Sequence, residues 1–191
     1  MKKYTDKNQH HAVQTMVTGF VISFVAFAVA SLLPSGEVEL FLEKISVAMY
    51  LFACTVHGLK LTEEKKTMPA AGFTMMAIAQ GIIFTTFFEP DNMEGNDKAY
   101  ELFGGGLLLF FPAMLLISFY TEFPRWVNFL GVISCIPFLV DFILFEITRH
   151  YTPVLDQVYF VAQVLLEITA LTWAYYIWKN HQLELQRKNE T

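Results

Sequence analysis

Asp156, Tyr159, Gln163 and Glu167 fall at steps of three, four and four inside one long apolar run. That spacing places all four on one face of a helix. A carboxyl group in line with an amide and a phenol has the chemistry to hold a cation, or to bind and release a proton. The face continues through Ala170 and Ala174, which are small. A second row, Glu43, Ser46, Tyr50, Cys54 and His57, follows steps of three, four, four and three. Ser134, Pro137 and Asp141 share a face of a third run, and Gln80 stands near the middle of a fourth. Pro137 lacks an amide hydrogen, so it frees the carbonyl of Ile133 beside Ser134. The candidate ion or substrate pathway is therefore Glu167, Gln163, Asp141, Tyr159, Gln80, Tyr50 and His57.

The cost of these residues argues for a role. A charged group at mid-membrane costs about 2.5–3.5 kcal/mol on insertion scales, and each strongly apolar residue returns about 0.3–0.6 kcal/mol. The apolar runs can carry their acids, but only where those acids are sheltered from lipid. Hydrogen bonds between membrane helices return only about 0.6 kcal/mol on average, a weak reason to keep an acid at depth. Glu167 thus reads as functional. Asp141 reads as a second station, or as the partner of Lys44 or Arg149. His57 reads as a structural histidine near the inner surface, beside Lys60.

The elements that must position these residues are membrane helices. The chain has 191 residues, 54% hydrophobic and 16% charged, with a mean hydropathy of +0.42. Soluble domains carry about 25% charged residues. Six apolar runs read as spans: Ala12–Leu33, Val38–Leu61, Pro69–Phe88, Ala99–Tyr120, Arg125–Ile147 and Asp156–Trp178. Pro34 and Pro90 follow the first and third. Thr67 with Pro69, Thr121 with Pro124 and Thr152 with Pro153 read as capped helix entries. Ala28-Val29-Ala30 mimics a signal cleavage site. The first run exceeds the usual signal core of about 7–15 residues, so it reads as an uncleaved span.

Basic residues set the orientation. With the N-terminus in the cytoplasm, ten of the thirteen Lys and Arg fall inside, and only Lys44, Lys98 and Arg149 fall outside. An even number of spans returns the C-terminus to the cytoplasm, and Trp126, Tyr175, Tyr176 and Trp178 form a belt at the inner surface. Glu37, Glu39, Glu43, Glu89, Asp91, Glu94, Asp97, Glu101, Glu146 and Asp156 make the outer face acidic. Such a rim concentrates cations. It is also what a solvated surface depleted of basic residues looks like.

Small residues set the packing. Gly19, Ser23, Ala26 and Ala30 form a seam suited to close helix approach, and Gly104-Gly105-Gly106 reads as a second contact surface. Phe41-Leu42-x-x-Ile45-Ser46 recurs as Phe129-Leu130-x-x-Ile133-Ser134, a match that chance explains in a chain this rich in Phe and Leu.

Several chemistries lack their residues. Bis-histidine haem binding needs two intramembrane histidines, and only His57 lies at depth. There is no zinc spacing, no Gly-x-Ser-x-Gly, no phosphate-binding glycine loop and no basic stripe for nucleic acid. Cys54 and Cys135 read as apolar fillers. The expectation is an all-α integral membrane protein without a cofactor, a compact bundle of six transmembrane helices in a bacterial-type inner membrane. It would be a permease or channel for a cation or proton-coupled small solute, alone or as a homo- or hetero-oligomer. The alternatives are an accessory or structural membrane protein, and a lipid-modifying enzyme using His57 with a nearby acid.

Overall fold

The apolar runs fold into helices, and no strand occurs among the described residues. The computed structural model describes residues 2–87, 97–148 and 153–190, with backbone alone at 2–9, 86–87, 97–100, 153, 156, 188 and 189. In chain order the helices are α1 (Lys2–Ala30), α2 (Glu37–Glu63), α3 (Thr67–Phe87), α4 (Asp97–Ile117), α5 (Arg125–Ser134), α6 (Ile136–Thr148) and α7 (Pro153–Glu190).

Five stretches are long and apolar enough to cross a membrane: His10–Ala30, Glu37–Glu63, Thr67–Thr85, Arg125–Thr148 and Gln157–Arg187. Between 28% and 50% of each apolar window is buried, so half or more of each faces outward. Large apolar side chains cover that outer surface, including Val25, Phe41, Leu59, Ile78, Leu102, Phe129 and Ile147.

The expected fourth span, Ala99–Tyr120, forms α4, Asp97–Ile117, whose apolar stretch Glu101–Ile117 is shorter than the other five. The helix stops at Ile117 because the next turn tightens. Phe119 N–H donates to Leu116 O at 3.3 Å and Tyr120 N–H to Ile117 O at 2.8 Å, both three residues back. The expected fifth span is broken in two. Pro137 has no amide hydrogen to give to Ile133, and the ladder lapses at Cys135. Cys135 N–H reaches Val132 O at 3.4 Å, and Leu139 N–H to Cys135 O at 3.1 Å restarts the helix. The entry to α5 is capped by Pro124 rather than Thr121. No side chain bonds there, and the Pro124 carbonyl accepts from Val127 and Asn128. The last helix continues through the polar tail to Glu190.

The turn from α2 to α3 is closed by two backbone bonds, Lys66 N–H to Leu61 O at 2.9 Å and Lys65 N–H to Thr62 O at 3.0 Å. This is a Schellman end, with Lys65 at φ 60 in the position usually held by glycine.

The helices close into a ring: α1 against α2, α2 against α3, α3 against α4, α4 against α6, and α7 against α6, α5 and α1. Glycines set the closest approaches. A Cβ on Gly19 would stand 2.9 Å from Ala53 Cβ, and one on Gly72 would stand 2.7 Å from Ala113 O and 2.8 Å from Ile117 N. Of the glycine triplet, Gly106 packs against Ile82, Ile83 and Ala79 of α3 and Gly104 faces Phe145, whereas Gly105 faces open space. The centre of the ring is filled by rings. Trp173 on α7 is fully buried against Phe20 of α1 and Phe73 of α3, at centroid distances of 6.2 and 5.1 Å.

Candidate functional site

Glu167 lies just above that aromatic centre, 3% exposed. Its Oε1 accepts hydrogen bonds from Ser23 Oγ of α1 at 2.7 Å and from Ser46 Oγ of α2 at 3.1 Å. The two hydroxyl oxygens are 3.2 Å apart. Each serine has one hydroxyl proton, so with both given to Oε1 the contact between them carries none. The other carboxyl oxygen, Oε2, is buried without a hydrogen-bond partner. An ionised Glu167 therefore has one bare buried oxygen, and a protonated one has a donor with nowhere to donate. Either state is incomplete as it stands, and buried polar groups are costly when left so.

Tyr50 lies one turn along α2 from Ser46. It is fully buried, packs edge-on to Phe20 at 5.7 Å, and its hydroxyl lies against the Cys54 thiol one turn along. Glu167 lies near enough to act electrostatically on both Tyr50 and Cys54. The row Ser46, Tyr50, Cys54 and His57 on α2 is buried throughout. It turns toward Glu167 at one end and away from it at the other.

One helical turn from Glu167, Gln163 donates from Nε2 to the Tyr159 hydroxyl at 2.7 Å. Tyr159 packs on Phe103 and Phe138, at 5.9 and 6.2 Å. Asp141 of α6 is buried and acts electrostatically on Tyr159. Gln80 of α3 is buried, with an oxygen that has no hydrogen-bond partner. The expected residues thus fall into groups. Glu167 sits with Tyr50, Gln163 and Tyr159 sit with Asp141, and His57 stands apart.

His57 stands near the charged end of the bundle, close enough to Lys60 and Lys66 to feel both, but its side chain is sealed from solvent. It is fully buried, its Nδ1 lies 3.0 Å from Met16 Sδ, and Phe73 and Tyr120 meet its ring edge-on at 4.5 and 5.7 Å. Its Nε2 has no hydrogen-bond partner. Among the described residues no acid hydrogen-bonds to it. Of the acids expected on the outer face, Glu89, Asp91 and Glu94 lie outside the described residues, and the side chains of Asp97 and Asp156 do too. Arg149, named as a partner for Asp141, also lies outside them.

Two residues of the site escaped the sequence reading. Ser23 counted there as part of a small-residue packing seam. It packs, since Gly19 meets Ala53, but it also supplies the shortest hydrogen bond to Glu167. Its only signal is being the one polar member of that seam. Trp173 carries no pattern at all beyond lying deeper than Trp178.

At one end of the bundle a charged cluster ties the connections together. Glu64 bonds Lys60 and, at 2.7 Å, Lys66; Lys66 also pairs with Glu122. Glu122 accepts from the Tyr120 hydroxyl at 2.7 Å, and its backbone carbonyl accepts from Asn180 of α7 at 3.0 Å. Burial works to raise the Glu64 carboxyl, but hydrogen bonds from Lys60 and Lys66 outweigh it and hold the group below its ordinary value. Burial likewise opposes Lys66, and its bonds to Glu122 and Glu64 push it above its ordinary value. Among the described residues, no set of three or more His, Cys, Asp or Glu is placed to hold a metal ion. Comparison of the chain with protein-family models, with curated proteins and with solved structures finds no match.

Proposed function

We propose that this is a six-span membrane protein of a bacterial-type inner membrane, with both termini cytoplasmic, that passes protons or a proton-coupled small cation or solute past Glu167. The observation that carries the reading is the half-satisfied carboxyl. Two serines from two other helices fix Oε1, while Oε2 is buried without a hydrogen-bond partner. Such a group completes itself by taking up a proton or by meeting a cation. The Tyr50 hydroxyl, beside the Cys54 thiol, is the next polar group along α2, and Gln163 with Tyr159 continues the line on the other side. The excess of Lys and Arg on one side of the sequence supports the orientation. The short α4 fits as a sixth span if Asp97–Glu101 lies at the membrane surface, since its apolar part is only slightly below a full crossing. Flux in proteoliposomes under a pH gradient tests the reading. Wild type conducts and Glu167→Gln does not; equal flux in both, or none in wild type, removes it.

A second reading has its own observation. The Ser23–Glu167–Ser46 contact joins three helices, which is also what a lock inside an accessory membrane protein would do. On that reading Glu167→Leu, which leaves both serine hydroxyls without their acceptor, weakens assembly or stability and no flux exists to lose.

A further inference from the structure

His10 on α1 and His181 on α7 meet where the first and last helices lie side by side. Nδ1 of His10 and Nε2 of His181 are 2.8 Å apart, across 171 positions of sequence. Trp178 packs beside both rings, at centroid distances of 6.3 and 6.4 Å. His181 is buried and His10 half-buried. Next to the pair a cleft of about 430 Å³ opens, lined by Gln14, Val17, Thr18 and Trp178. Gln14 is one helical turn from His10, so the cleft adjoins the two rings.

We propose that His10 and His181 bind a borderline transition-metal dication of the Zn²⁺ class, tying the first helix to the last. Imidazole nitrogen is a preferred donor for such ions. Zn–N bonds are about 2.0–2.1 Å, so a tetrahedral ion holds two ligand nitrogens about 3.3 Å apart. The rings need to open by about half an ångström to reach that separation. In the metal-free contact one nitrogen carries a proton and the other accepts it. Binding turns both lone pairs toward the ion. The donating ring moves its proton to its far nitrogen, and no proton is lost. Two protein ligands leave two positions for water, and the cleft beside Gln14 gives that water room. His11 is exposed, with its ring 6.2 Å from that of His10, and the site does not need it. The inference is independent of the Glu167 pathway, which Glu167→Gln alone tests.

The experiment uses the full chain, free of any histidine tag, purified in detergent. Zn²⁺ at saturation raises the Tm by about 2–8 °C, Mg²⁺ does not, and EDTA reverses the rise. His10→Gln and His181→Gln each abolish the shift, and His11→Gln keeps it. X-ray absorption of Zn²⁺-loaded wild type shows two imidazole nitrogens on the metal, a result that needs no variant to fold. A wild type that neither shifts nor retains Zn²⁺ overturns the site. So does a shift that survives in both His10→Gln and His181→Gln, or a bound metal without imidazole.

Discussion

The Ser23 hydroxyl on α1 donates to Oε1 of Glu167 on α7 at 2.7 Å, joining residues 144 positions apart. Ser46 of α2 adds a second bond to the same oxygen at 3.1 Å. The first, second and last helices are thus fastened at one atom. That atom belongs to the group whose other oxygen has no hydrogen-bond partner. Helix fastening and the proposed proton exchange can therefore be tested separately at this residue, because they use different oxygens.

Glu167→Gln keeps an amide oxygen to accept from both serines, so its unfolding in detergent changes by less than about 1 kcal/mol. It cannot titrate, so the proposed flux is expected to be lost. Ser23→Ala removes one of two donors and costs about 0.6–1.7 kcal/mol, with flux retained at a shifted pH dependence. Glu167→Leu strands both hydroxyls and is the least stable of the three. Thermal unfolding read beside proteoliposome flux checks the set. A Glu167→Gln protein that unfolds as readily as Glu167→Leu while conducting like wild type contradicts it.

The sequence reading is strongest where the physics is periodic. Steps of three and four identified the buried face of α7 that carries Gln163 and Glu167, and the buried row on α2. Hydropathy found each long apolar stretch, because an outward face that stays apolar marks the whole helix, but it did not contain the break between α5 and α6. It overran α4, whose end is set by a tight turn rather than by a change in polarity. What periodicity does not contain is which faces meet. Ser23 and Glu167 become partners only when the ring closes, and nothing local in α1 distinguishes a serine that packs from a serine that also donates. His57 shows the same limit: it stays beside Lys60, and Met16, Phe73 and Tyr120, which bury it, arrive from other parts of the fold.

Glycine gives a sharper contrast than any polar residue. A Cβ on Gly72 would lie 2.7 Å from the Ala113 carbonyl oxygen and 2.8 Å from the Ile117 nitrogen. Both are backbone atoms, so α3 and α4 would have to part. Gly72→Ala is expected to cost about 1–3 kcal/mol, as overpacking does. A Cβ on Gly105 meets nothing within 4 Å, and Gly105→Ala gains about 0.5–1 kcal/mol from the better helix former. Detergent unfolding of the pair should show Tm moving in opposite directions. A shared sign would mean that the triplet, and not the α3–α4 contact, sets the requirement for glycine.

The Glu64 cluster fixes how stability depends on pH. In the folded chain Glu64 titrates below its unfolded value, because Lys60 and Lys66 bond its ionised form. Its contribution is then fully present above an unfolded carboxyl value of about 4.3 and lost as pH falls through the lower folded value. Lys66 is raised instead, so its contribution is present below about 10.4 and lost as pH rises through the folded value. The two together are complete between about pH 5 and 10. These side chains are 22% and 32% exposed, which keeps the pair within the ordinary range of about 0.2–1 kcal/mol. Glu64→Gln should therefore lower Tm at pH 7 by about 1–4 °C. The difference from wild type should shrink toward zero as pH falls through the lowered folded value of Glu64, and narrow in high salt. Measured across that range, a difference that stays constant from pH 7 down through that value would assign the loss to packing rather than to charge.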